Sequence, residues 1–178
     1  MNTIVYFHGY GSSAKTDKVD RLKKLYPNAE VLAFDINIDP TISLLEVGEK
    51  ILMELLNDFN SPGSLYFIGT SLGAWYANEL SNGFGCPALL INPCFDPETS
   101  LKKYGVAEEV RSKYTAMDLK DVNRKMIVLD PADDVIDHSV LIGKLNAIGG
   151  HYIEYANVGH RFNGPEFENA VKKFIDNM

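Results

Sequence analysis

The chain has 178 residues, 46% of them apolar, enough for one domain with a filled core. Seventeen basic against twenty-four acidic residues leave a net charge of -7, which argues against a nucleic-acid backbone or an anionic membrane as partner. No basic segment leads into an apolar stretch at the N-terminus, and no apolar run nears the ~20 residues of a bilayer span, so neither a secretory signal nor membrane insertion is expected.

Thr3-Ile4-Val5-Tyr6-Phe7 is a β-branched and aromatic run ending at His8-Gly9, the pattern of a buried strand. After the loop Tyr10-Gly11-Ser12-Ser13, an amphipathic helix is expected from Lys15 to Tyr26, with Val19, Leu22 and Leu25 on one side and Pro27 beyond its end. Glu30 to Phe34 reads as a second strand. Thr41 to Phe59 reads as a long helix whose apolar stripe is Leu45, Leu52, Leu55 and Phe59, stopped by Ser61-Pro62-Gly63. Leu65-Tyr66-Phe67-Ile68 is a third strand. It runs into Gly69-Thr70-Ser71-Leu72-Gly73 and then a helical stretch from Ala74 to Leu80.

Ala88 to Ile91, Met126 to Leu129 and Tyr152 to Tyr155 supply three more strands. A helix is expected over about Asp137 to Ile148, with Leu141, Leu145 and Ile148 on one face. Another runs from Pro165 to the C-terminus with Phe167, Val171 and Phe174 on one face. Alternating helices and continuously apolar strands predict an α/β fold with a parallel sheet covered on both faces. One segment interrupts the rhythm. Residues 92–124, with a polar helical stretch from Pro97 to Ser112, are too long for a simple connection. They read as an excursion of a single domain, a lid or binding loop, with a crossover helix on long flanks as the alternative. Cys86 and Cys94 flank one strand, too far apart for a disulfide. Two reduced thiols without an export signal point to the cytoplasm.

The chemistry centres on Ser71. A strand, a Gly-x-Ser-x-Gly turn and a helix are the setting of a nucleophile elbow, where only small residues fit two places before and after the serine. A glycine-rich packing turn is the bland alternative. A serine hydroxyl needs an adjacent base. His160, in the loop after the last strand, lies at the same sheet edge, and is preferred to His8, His138 and His151. The orienting acid should come from Asp130-Pro131-Ala132-Asp133-Asp134-Val135-Ile136-Asp137. Of its four aspartates Asp133 is chosen, since Val135 and Ile136 can then anchor the loop. Asp134 is the alternative and Asp96 the more distant one, because aspartates also serve turns. The backbone N–H groups of Leu72 and Tyr10 are the expected oxyanion donors. Tyr10, Trp75, Phe95 and Phe162, as neighbours of motif residues, are candidates to wall the acyl site, against the commoner role of such residues as core aromatics.

Phe7-His8-Gly9-Tyr10-Gly11-Ser12-Ser13, Gly69 to Ala77, Leu90-Ile91-Asn92-Pro93, Asp133 to Asp137 and Gly159-His160-Arg161-Phe162 together resemble the small bacterial YqiA-like esterases of the α/β-hydrolase superfamily. The departures are Asp130-Pro131, where a glycine-containing turn is common, and Tyr10, where phenylalanine is usual. The resemblance implies a minimal hydrolase core, a six-stranded mostly parallel sheet in the order 2-1-3-4-5-6. It also implies hydrolysis of small acyl esters or thioesters by Ser71, Asp133 and His160, without metal or organic cofactor. An acyl-CoA or carrier thioesterase or acyltransferase, and a non-catalytic binding protein on the same fold, are the competing readings.

Overall fold

The apolar runs become the strands of one sheet. A computed structural model describes residues 1–57 and 63–178. Its strands are β1 (Thr3–Phe7), β2 (Glu30–Ala33), β3 (Leu65–Thr70), β4 (Ala88–Ile91), β5 (Lys125–Leu129) and β6 (Ile153–Glu154). They lie in the order β2-β1-β3-β4-β5-β6, and every neighbouring pair is parallel. This is the order the resemblance implied. In an all-parallel sheet every strand ends at the same edge, so the loops after β1, β3, β4, β5 and β6 emerge side by side.

Because side chains alternate along a strand, each run feeds two cores. Ile4 and Tyr6, Tyr66 and Ile68, Leu89 and Ile91 face one side of the sheet. There they meet Val19 and Leu22 of α1 (Asp17–Leu25) and Phe167, Ala170, Val171 and Phe174 of α7 (Pro165–Asn177). Val5, Phe7, Phe67 and Leu90 face the other side. They pack with α2 (Pro40–Asn57), α3 (Leu72–Phe84) and α6 (Ser139–Ala147). Each fully buried side chain of this kind contributes about 1.5–3 kcal/mol, so both cores hold the sheet.

Three expectations need correction. Along α2 the leucine stripe faces outward: Leu45 is 65% and Leu52 50% exposed, with Leu55 at 36%, whereas Val47 and Ile51 are buried. The reason is close approach. Ser43 is buried with its hydroxyl donating to the Asn37 carbonyl, and Gly48 lies beside Leu80 of α3, so the side with small residues can lie against α3. Phe59 and the Ser61-Pro62 stop lie outside the described residues. Ile148 is 53% exposed, since α6 ends at Ala147 and Gly149 turns the chain away at φ +68°. Finally, the polar stretch from Pro97 to Ser112 is two short helices, α4 (Pro97–Lys102) and α5 (Glu108–Arg111). Gly105, at φ +73°, lies in the break.

Cys86 and Cys94 stand on either side of β4 as free thiols. No described helix is long and apolar enough to cross a membrane.

Candidate active site

Ser71 sits between β3 and α3 with φ 57° and ψ -122°, a backbone conformation rare for a residue with a side chain. Two contacts explain the flanking glycines. A Cβ on Gly69 would stand 2.2 Å from the Gly73 carbonyl oxygen, and one on Gly73 would stand 2.2 Å from that of Phe7. The bend is held from the β4 side: Ser71 N–H donates to Ile91 O at 2.9 Å, and Cys94 N–H donates to Ser71 O at 3.1 Å.

His160 reaches the serine from the loop after β6. Its Nε2 lies 3.0 Å from Ser71 Oγ, and its Nδ1 lies 2.7 Å from Asp133 Oδ2. The other carboxylate oxygen of Asp133 accepts the N–H groups of Val135 and Ile136, at 2.8 and 3.0 Å. Burial pushes this carboxyl up, but hydrogen bonds from His138 and His160 and from those two N–H groups outweigh it and hold it well below the usual carboxylate range. An ionised Asp133 accepts only, so the proton of His160 is on Nδ1 and Nε2 is free to accept from the serine hydroxyl. Asp134 is exposed, and Asp96 caps α4 by accepting from Thr99. Neither approaches His160 in the way Asp133 does.

Residues not singled out in the sequence hold this arrangement. Asn92 follows β4 at φ 41°. Its amide donates to the carbonyls of Gly159 and His160, both at 3.1 Å, and accepts the N–H of Asp130 at 2.7 Å. Asp130, 1% exposed, accepts the Gly159 N–H at 2.7 Å and the Ala132 N–H at 2.9 Å. Burial raises its carboxyl, and these bonds, with the N–H groups of Val158 and Asn157, bring it below its ordinary value. His138, also buried, points Nε2 at Asp133 Oδ2 from 3.2 Å, and its Nδ1 has no partner. In the sequence these three stood only as part of an asparagine-proline pair after β4, as one of four loop aspartates, and as a histidine passed over as the base.

On the other side of Ser71, the loop after β1 carries Gly9 and Tyr10. A Cβ on Gly9 would lie 3.3 Å from Ser71 Cβ, so glycine permits the close approach. Ile36 N–H donates to His8 Nε2 at 3.2 Å, which leaves the proton on Nδ1 to donate to Gly9 O at 2.8 Å. Ser12 N–H donates to the same oxygen at 3.2 Å. That carbonyl and the Tyr10 N–H belong to one planar peptide and point opposite ways. Pinning one therefore aims the other. Among the described residues, neither the Tyr10 nor the Leu72 N–H is engaged in another hydrogen bond.

Two clefts open beside Ser71, of ≈ 270 and ≈ 250 Å³, and Tyr10, His160 and Arg161 border both. The tyrosines flanking the second are Tyr10 and Tyr104, whose ring centroids are 5.2 Å apart. Trp75 is buried under Tyr114, with its indole N–H donating to Thr115 O at 2.9 Å. Phe162 is fully buried against Tyr155, and Phe95 is half-buried against the core beneath α3. None of these three lines either cleft. Among the described residues no group of three or more His, Cys, Asp or Glu side chains could hold a metal ion.

The fold is that of α/β hydrolases. A Xanthomonas campestris protein assigned to that superfamily superposes with a TM-score of 0.67 at 18% identity, over 99% of this chain and 96% of its own. The Pyrococcus furiosus esterase Pf2001 gives a TM-score of 0.70 at 15% identity, over 99% and 81%. In sequence, a UPF0227 protein of Shewanella sp. (strain MR-7) is 23% identical over 144 residues, 75% of this chain and 77% of the relative. The Uncharacterised protein family UPF0227 matches residues 3–176, so the chain belongs to that family, in line with its resemblance to the YqiA-like hydrolases.

Proposed function

We propose that the chain is a serine esterase acting on small acyl esters or thioesters. The observation that carries this reading is the unbroken line from Ser71 Oγ through His160 to Asp133, at 3.0 and 2.7 Å. As Ser71 attacks the acyl carbonyl, His160 Nε2 takes the hydroxyl proton, and Asp133 stabilises the imidazolium that results. The Leu72 and Tyr10 N–H groups receive the developing oxyanion; removing one such donor costs about 3 kcal/mol in other hydrolases. His160 then gives its proton to the departing alcohol or thiol. Water, deprotonated by the same nitrogen, releases the acid and restores the serine.

The excursion at 92–124 serves this reading as one wall of the acyl site, through Leu101 and Tyr104. The hydrolase and esterase names of the structural neighbours support the reaction class. A fluorophosphonate probe should label Ser71, located by peptide mapping, and a panel of acyl esters and acyl thioesters with and without alcohol acceptors should show transfer to water. No labelling of Ser71 together with no turnover across the panel would leave a binding protein on a hydrolase fold.

A further inference from the structure

The two clefts that meet at Ser71 differ in chemistry. One is faced by Leu72, Cys94, Leu101, Val135 and Ile136, with the Lys103 ammonium at its wall turned to the Val135 carbonyl. The other runs toward the start of α1 and is faced by Ser12, Thr16, Lys18, Arg161 and Asn163. We propose that the substrate is an ester with one apolar half and one half ending in an anionic oxoacid group, a carboxylate or a phosphate, held by Arg161 and Lys18. This rests on the esterase reading and names the class of molecule that the reading leaves open.

Lys18 is 7% exposed, unusual for a side chain that a surface helix could send to water. Its ammonium donates to Arg161 O at 2.7 Å and Asn163 Oδ1 at 2.6 Å, which uses two of its three protons. Burial draws it down to about 8, with Asp17 opposing and Arg161 and Arg21 adding to the effect, so the cation still dominates at neutral pH. Arg161 follows His160 directly and borders both clefts. Among the described residues no Asp or Glu forms an ion pair with it. A guanidinium fork matches carboxylate and phosphate oxygens in pairs. Thr16 adds a buried hydroxyl oxygen with no partner. The one acid facing this cleft, Asp17, is engaged by Arg21 at 3.4 Å. The cleft is therefore locally cationic in a chain of net charge -7.

The test uses esters of one apolar acid whose alcohol half ends in a carboxylate, a phosphate or a neutral carboxamide, and a mirrored set with those groups on the acyl half. The quantity read is the ratio of kcat/KM for an anionic ester to that for its carboxamide. In the wild type one set should favour the anion by about tenfold or more, and the ratio should fall toward one in Arg161→Gln. Lys18→Met should do the same, with circular dichroism checking that the 161–163 loop partner has not cost the fold. Ratios near one in both wild-type sets overturn the subsite while leaving the esterase reading intact. If no ester is turned over, the esterase reading fails, and inorganic phosphate decides the subsite. Saturable shifts of the Ser12, Lys18 and Asn163 amide resonances, lost in Arg161→Gln, support it; no saturable shift overturns it.

Discussion

His138 directs Nε2 at Oδ2 of Asp133 from 3.2 Å, the same oxygen that His160 approaches to 2.7 Å. Asp133 is thus an acceptor for two imidazoles, and the one that never reaches Ser71 fixes the plane of the carboxylate the other depends on. His138→Leu should lower kcat by about tenfold with KM little changed, as removal of an outer hydrogen-bonding partner does at other sites. His138→Gln, which can present an N–H to the same oxygen, should recover most of the loss. Equal losses in both variants would mean that the histidine only fills space.

Asp133→Asn should be the most damaging of three aspartate changes, costing about 10⁴-fold in turnover, because an amide there favours the wrong tautomer of His160. Asp134→Asn should be close to neutral, since that side chain is exposed. Asp130→Asn should act on stability, by about 1–3 kcal/mol, because it disturbs a buried acceptor of the Gly159 N–H. Ester hydrolysis and urea unfolding on all three variants give the ranking. A crippled Asp134→Asn beside an active Asp133→Asn would move the acid one residue along the loop.

Ser71→Ala should remove turnover by about 10⁴-fold or more while the protein still folds, because the hydroxyl contributes nothing to either core. Gly73→Ala should do the opposite in kind. Its methyl would press on the carbonyl of Phe7, and the expected loss is about 3 kcal/mol of stability or more. Thermal unfolding separates the two: an unchanged midpoint for Gly73→Ala would contradict the contact.

Acid should weaken the fold through Asp130 and Asp133, both buried and both held below ordinary carboxylate values. Between the folded values and the unfolded value of about 4, the unfolded chain binds more protons, so stability rises with pH. The contribution is whole above about pH 4 and is lost as pH falls toward the folded values. Urea unfolding at pH 6, 4 and 3 should therefore show the gap between the wild type and Asp130→Asn shrinking at the acid end. A gap that stays constant would mean that Asp130 is not ionised in the fold.

The strands and the edge at which Ser71, Asp133 and His160 meet were legible because they follow from local patterns: unbroken apolar runs, glycines at fixed offsets, turns at strand ends. The strand order came only through the family resemblance. What escaped depends on partners far away in sequence. Nothing around Asn92 or Asp130 shows that each reaches a loop near 159, since a buried asparagine and a turn asparagine look alike in the chain. The outward leucines of α2 escaped for a related reason. Periodicity names two apolar faces, and the small residues Ser43 and Gly48 decide which one is pressed on α3.

The edge strand β6 is two residues long and pairs only with β5, yet the loop behind it carries His160. Ser71 instead rises from β3, which has neighbours on both sides. The proposed triad is thus shared between a half anchored by strand pairing and a half anchored by its own loop, through Asn92, Asp130, Lys18 and the buried Phe162. Removing one of those ties should expose the difference. Asn92→Ala should lose activity at lower urea than unfolds the sheet, with faster amide exchange at 159–162, whereas the wild type should lose activity and sheet together.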